Sequence, residues 1–208
     1  MTQRTIVYRF KNGIYINLTN RCPNLCTFCI KTKWGMRFNG YDLDLQGQEP
    51  SAEEICELLA QELERGSASE VVFCGYGEPT MRLDVVLSVG QFLKKHKLYP
   101  AFKIRLNTNG LGNLIHRRNI VPDLKTAIDV VSVSLNAENE SLWKELLRPA
   151  AEYENGYESV KEFIGLCARA GFERVCASCV ENTGADPQAV KALALSLGAQ
   201  FNDREYLK

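Results

Sequence analysis

Three cysteines fall close together, Cys22, Cys26 and Cys29, in the run Thr19-Asn20-Arg21-Cys22-Pro23-Asn24-Leu25-Cys26-Thr27-Phe28-Cys29. Three thiolates in one loop can hold three irons of a cubane cluster and leave the fourth without a protein ligand, whereas an ordinary electron-transfer cluster takes four cysteines. An open iron is a reaction site. A closed zinc site of three cysteines and one histidine would need its fourth ligand nearby. The only histidines, His96 and His116, lie far from the run, and no second ligand pair has zinc-knuckle spacing. Packing alone explains the three cysteines poorly, because Pro23, Asn24 and Thr27 surround them and no apolar period enfolds them.

A second run, Val71-Val72-Phe73-Cys74-Gly75-Tyr76-Gly77-Glu78-Pro79-Thr80, reads as a buried strand leading into a glycine-punctuated turn. Glycine lets backbone amides and carbonyls approach a ligand closely. Two short polar segments, Asn107-Thr108-Asn109-Gly110 and Ser134-Leu135-Asn136-Ala137, stand at the ends of two further expected strands. Each alone is ordinary turn or cap chemistry.

With Phe28 before the last cysteine, the first run is similar to the Cys-x3-Cys-x-aromatic-Cys signature of the radical S-adenosylmethionine (SAM) superfamily. The resemblance implies a [4Fe-4S] cluster on Cys22, Cys26 and Cys29, with the amino and carboxylate groups of SAM chelating the open iron. It further implies reductive cleavage of SAM to methionine and a 5′-deoxyadenosyl radical, which abstracts hydrogen from a small-molecule or protein substrate. A low-potential electron donor of flavodoxin or ferredoxin type is expected with it. Gly75-Tyr76-Gly77-Glu78-Pro79 resembles the family's Gly-Gly-Glu-Pro motif, with Tyr76 in place of the usual second glycine. By that resemblance the turn binds the methionyl amino group, Glu78 helping to order it. Asn107, Thr108, Asn109, Ser134 and Asn136 resemble segments that reach the methionyl carboxylate or the ribose hydroxyls. The longer phrases 14–22, 75–80 and 105–110 look most like the small radical SAM proteins associated with TatD-family nucleases. That likeness implies a TatD-family nuclease as a partner and brings no substrate with it.

These loops need a scaffold, and the chain alternates strand and helix patterns. A hairpin of residues 5–10 and 13–18 turns at Lys11-Asn12-Gly13, where Asn-Gly is expected to supply positive φ angles. Ser51 and Glu54 have capping-box spacing ahead of a helix reaching residue 65, with Ile55, Leu58, Leu59 and Leu63 on one stripe. Strands at 71–74, 102–107, 128–135, 173–180 and 200–207 alternate with helices at 83–97, 111–118, 141–147, 158–170 and from Asp186-Pro187 to 197. Six strands separated by helices, with right-handed crossovers, should lie parallel. The resemblance implies the family's α/β partial (β/α)6 barrel. We read a single domain over 1–208, an N-terminal hairpin strand in 1–13 and a barrel core in 14–207. Every candidate loop follows the carboxyl end of a strand, where barrels assemble active sites.

Of the remaining cysteines, Cys56, Cys74 and Cys167 read as core fillers. Cys176 and Cys179, three apart on a strand, face opposite sides and read as packing, with one free to face the cavity. Arg105, Arg148, Glu181, Asn182 and Glu205 stand near element ends, and surface ion pairing is their default reading; His96 and His116 read as helix-surface residues, and Lys31, Lys33 and Arg37 as a solvated basic loop.

The chain of 208 residues has 25 basic and 25 acidic side chains and 45% hydrophobic residues, so no global positive field argues for nucleic acid. The start, MTQRTIVYRF, lacks the uninterrupted apolar segment of a signal peptide or membrane span, and a cytoplasmic protein is expected, its eight cysteines being ligands or fillers rather than a disulfide framework. Competing readings are a glycyl-radical activase, an enzyme like 7-carboxy-7-deazaguanine synthase, and a non-catalytic iron-sulfur redox or sensing module.

Overall fold

The computed structural model describes residues 4–206. Residues 1–3 and the expected end of the last strand at 207 lie outside the described residues. In chain order the elements are β1 Val7–Phe10, β2 Gly13–Ile16, α1 Ile30–Lys33, β3 Arg37–Phe38, β4 Tyr41–Asp42, α2 Ala52–Arg65, β5 Glu70–Phe73, α3 Leu83–Lys95 and β6 Lys103–Thr108. There follow α4 Gly112–His116, α5 Val121–Ala127, β7 Val130–Ser134, α6 Glu140–Leu147, α7 Gly156–Arg169, β8 Arg174–Val180, α8 Pro187–Ser196 and β9 Gln200–Arg204.

The main sheet runs β1-β2-β5-β6-β7-β8-β9. Its first pair is antiparallel and every later pair parallel. Six parallel strands in chain order with intervening helices give the expected mixed α/β arrangement, a partial (β/α)6 barrel. The antiparallel β1 covers one edge, which would otherwise present unpaired backbone. The hairpin differs from expectation in one detail. Lys11 takes the positive φ, at 51°, and Gly13 already pairs with Phe10 in the strand.

Strand alternation divides the sheet into two faces. Ile14, Ile16, Val71, Phe73, Ile104, Leu106, Val131 and Val133 are buried in the same core as Ile55 and Leu59 of α2, Val86 and Val89 of α3, and Phe163 and Ile164 of α7. The other face carries Tyr15, Glu70, Arg105, Asn107, Ser132, Ser134, Cys176 and Ser178, and this polar set lines the inside of the curved sheet.

Helix starts follow local chemistry. Ser51 Oγ accepts from the Glu54 amide at 3.2 Å, but the Glu54 carboxylate pairs with Arg4 at 2.6 Å, so half of the expected capping box forms. Asp186 caps α8 with Pro187 in its first turn, as the sequence suggests. The expected helix at 111–118 is shorter, and a second helix, α5, with Pro122 in its first turn, follows it. Among the described residues, no helix is long and apolar enough to cross a membrane.

Candidate functional site

The loop carrying Cys22, Cys26 and Cys29 leaves the carboxyl end of β2 and is fastened on two sides. On one side, the Leu25 amide donates to the Leu147 carbonyl at 3.0 Å, the Thr27 amide to Leu146 at 2.9 Å, and the Ala150 amide to Pro23 at 2.8 Å. On the other lies the turn after β5, whose Glu78 amide donates to the Arg21 carbonyl at 2.8 Å. This second contact explains the glycines. A Cβ on Gly77 would fall on the Thr19 carbonyl oxygen and 2.6 Å from that of Arg21, and one on Gly75 would lie 2.8 Å from the Asn17 Cα. Close backbone approach, required here by sequence-distant loops, is available only to glycine.

The three thiols influence one another electrostatically. Burial, ahead of neighbouring negative charge, pushes the metal-free Cys22 thiol up to about 11 and that of Cys26 to about 12. A cluster must therefore displace their protons as it binds. Among the described residues, no three His, Cys, Asp or Glu side chains gather closely enough to share one ion. Three thiols on one loop suit three irons of a cubane rather than a closed zinc site, which takes four protein ligands. Phe28 and Cys26 pack against the main apolar core.

Glu78 is buried and ties two candidate loops together. Its Oε1 accepts from the Thr80 amide at 3.0 Å and from the Thr80 and Thr108 hydroxyls at 2.7 Å each, and its Oε2 accepts from the Asn109 amide at 2.6 Å. Burial pushes this carboxyl above the usual range, and the four donors pull it back. Gly77, Glu78, Pro79, Thr108 and Asn109 thus form one unit beside the cysteine loop. Asn109 Oδ1 accepts from the Leu111 amide, and its buried Nδ2 has no partner among the described residues. At the next strand end, Asn136 holds a φ of 64° and its buried Oδ1 is also unpartnered. Both side-chain atoms of Asn24 are buried without partners too. Such atoms cost about 1–3 kcal/mol each when left unmatched. Donors and acceptors held ready at adjacent strand ends fit the amino acid and ribose portions of SAM, as the three-thiol loop fits the cluster.

Several expectations need correction. Cys74 is not a core filler: after Val72 it falls on the inner face, where its thiol meets the Asn107 side chain. Arg105 is not a surface residue; inside the sheet it pairs bidentately with Glu70 at 2.7 and 2.9 Å and donates to Asn107 Oδ1 at 2.7 Å. His116 is no free surface group either, with Nε2 2.7 Å from the Thr80 carbonyl oxygen. Lys31 donates to the Asn20 carbonyl at 2.9 Å rather than standing free in solvent, and Lys33 meets Tyr206. Arg148 and Glu205 are exposed. Cys176 and Cys179 do face opposite sides, Cys176 inward beside Ser132 and Cys179 buried next to Asp203.

The sequence reading missed the supports of the cysteine loop. Buried Asn17 donates to the carbonyls of Thr5 and Leu43 at 3.0 and 2.9 Å, and Asn20 Oδ1 accepts from the Leu45 amide at 2.7 Å. Glu49 accepts from Thr19 and binds Arg21 and Arg82. Short polar residues carry no sequence sign of partners so far along the chain.

Tyr76, the departure from the usual glycine, anchors the ribbon of β3 and β4. Its hydroxyl donates to the Arg37 carbonyl at 2.6 Å, and its ring packs with Tyr8 and Leu43, surrounded by Met36, Phe38 and Tyr41. Replacing Tyr76 by glycine should remove about 3–5 kcal/mol of this packing, the usual cost of deleting a buried aromatic ring. Hydrogen exchange should then accelerate over 36–43 while the amides of β6 and β7 stay protected. Uniform acceleration, or none, would show that the ring does not hold the ribbon.

A sequence model described as "Radical SAM superfamily" matches residues 16–187. Among curated proteins, "Dual-specificity RNA methyltransferase RlmN" of Halorhodospira halophila (strain DSM 244 / SL1) is 30% identical over 61% of this chain and 32% of its own length. "Probable dual-specificity RNA methyltransferase RlmN" of Synechococcus sp. (strain RCC307) is 28% identical over 83% of this chain and 48% of its own. The chain therefore spans less than half the length of these two relatives. Two solved structures share its fold, each with a TM-score of 0.63: one titled "Structure of TYW1 with a lysine-pyruvate adduct bound" (15% identity, 95% of this chain, 65% of that one) and "Crystal structure of HydG: A maturase of the [FeFe]-hydrogenase" (13%, 94% and 42%).

Proposed function

Because the chain belongs to the radical SAM superfamily, enzymes whose cofactors are a [4Fe-4S] cluster and SAM, we propose that it cleaves SAM reductively to begin a hydrogen abstraction. The observation that carries this reading is the fastening of the three-cysteine loop to the Gly77-Glu78 turn, which brings expected cluster ligands and expected SAM contacts to one opening. When bound, the cluster would pass one electron from a low-potential donor to SAM, so that a carbon–sulfur bond breaks to give methionine and a 5′-deoxyadenosyl radical. Cys22, Cys26 and Cys29 hold the irons. The backbone of Gly75, Tyr76 and Gly77 would hold the methionyl amino group, while Glu78 braces the turn against Thr108 and Asn109. Asn107, Asn109, Ser134 and Asn136 offer polar groups to the carboxylate and ribose, and Pro79 fixes the entry of the next helical turn.

Anaerobic reconstitution followed by reduction with SAM present should yield 5′-deoxyadenosine. An intact cluster with no product would favour a redox or sensing module.

The TatD-associated likeness of phrases 14–22, 75–80 and 105–110 makes a TatD-family nuclease a partner to test, and failure of the two proteins to interact or share a metabolic phenotype would count against it. Glycyl-radical activation and deazaguanine formation remain alternatives, separated by a glycyl radical on a partner or by turnover of a purine-like precursor. A second reading takes RNA as the substrate, after the printed names of the curated relatives. Equal numbers of acidic and basic residues weigh against it. RNA binding that weakens steeply with salt would favour it.

A further inference from the structure

Among the described residues, the inner face of the sheet carries Arg105, Arg174 and Arg204, of which Arg174 is exposed at the amino end of β8. Arg105 is spoken for by Glu70. Arg204, at the end of β9, lies opposite Val180 in register, on the same face as Cys176, Ser178 and Asn202. It stands within electrostatic reach of Cys74, Cys26 and Arg105, so its guanidinium projects across the interior towards the cysteine loop. Burial, with a smaller contribution from the like charge of Arg105, holds this group below its usual range. Among the described residues, no carboxylate forms an ion pair with it and no acceptor hydrogen-bonds its guanidinium. Half-buried and without an ion-pair partner among the described residues, this charge is open to an anion that completes it. On that face the strand neighbours of Arg204 besides Val180 are Ser178 and Asn202, and these neutral hydrogen-bonding groups, with the nearby Cys74 thiol, suit a polar ligand.

We propose that Arg204 anchors an anionic group, carboxylate or phosphate, on the molecule that the enzyme acts upon. The fork of a guanidinium matches either oxyanion with two parallel hydrogen bonds. The expected SAM contacts lie on β5, β6 and β7 whereas Arg204 stands on β9, and the anchored anion is assigned to a second molecule sharing the interior with SAM. The proposal rests on the SAM-cleaving reading only for the identity of that neighbour.

The test uses reconstituted protein, anaerobic and without reductant, at low ionic strength, first without SAM and then with saturating SAM. Malonate and inorganic phosphate are titrated by calorimetry. We expect one of them to bind, with affinity lowered at least tenfold in Arg204→Gln and partly kept in Arg204→Lys, which retains the charge but loses the fork. Loss of anion binding when SAM is added would overturn the proposal, since the arginine would then hold SAM's own carboxylate. Equal binding by wild type and Arg204→Gln, or none by wild type, would overturn it as well. So would a shifted cluster potential in Arg204→Gln with anion binding unchanged, which would make the arginine a counter-charge to the cluster. Formation of 5′-deoxyadenosine by the wild type is measured separately. Anion binding without that product supports the anchor while removing the cleavage reading; product without anion binding removes the anchor alone.

Discussion

Replacement of Cys26 by alanine is expected to lower bound iron sharply and to reduce reductive 5′-deoxyadenosine formation by more than a hundredfold. Partners that merely orient metal ligands cost about 10–100-fold when removed, and loss of a ligand itself should cost more. The side chain is half-buried and packs against the apolar core, so alanine leaves a small hole and no replacement donor. Cys167→Ala is the control. Cys167 is fully buried in α7, within the apolar core, and its loss should cost stability without touching iron content. Iron analysis and product quantification on the two variants decide the matter: equal iron and equal product in Cys26→Ala would contradict the ligand assignment.

Gly77→Ala should have the second largest effect, through backbone rather than chemistry. The added methyl meets the carbonyl oxygens of Thr19 and Arg21, neither of which can swing aside as a side chain would. Overpacking of this kind costs about 1–3 kcal/mol and sometimes more. For a domain of this size about 3 kcal/mol corresponds to a fall in Tm on the order of 10 °C. The displaced segment leads directly into Cys22, so cluster occupancy should fall with stability. Gly171→Ala provides the comparison. Its φ of 73° is strained for alanine, but a Cβ there meets no neighbour, so it should lose stability and keep its iron. A Gly77→Ala protein with full iron content would show that the two loops can separate without harm to the site.

The strand and helix order, the caps at Ser51 and Asp186, and the residues around the opening were legible because each rests on local spacing. Which face a residue takes was less legible. Val71-Val72-Phe73 is a continuous apolar run of the kind found in parallel strands, and such a run gives no alternation from which to place Cys74 inside or outside. Arg105 was misplaced for the same reason, since its partner Glu70 comes from another strand. The ribbon of β3 and β4 was invisible because two-residue strands have no period, and their stability comes from Tyr76 and Tyr8, far off in sequence. Tyr76 itself was noted only as a departure from a motif. Its packing gives that departure a physical reason.

The fastening of the cysteine loop also sets an order of events during synthesis. Cys22, Cys26 and Cys29 leave the ribosome early, but the carbonyls of Leu146, Leu147 and Arg148 that hold their loop are made long afterwards, and contacts so distant in sequence form late. The nascent chain therefore carries three loose thiols until α6 has been made. Iron delivered before α6 has docked would find a floppy tether rather than a shaped socket, so maturation should follow folding.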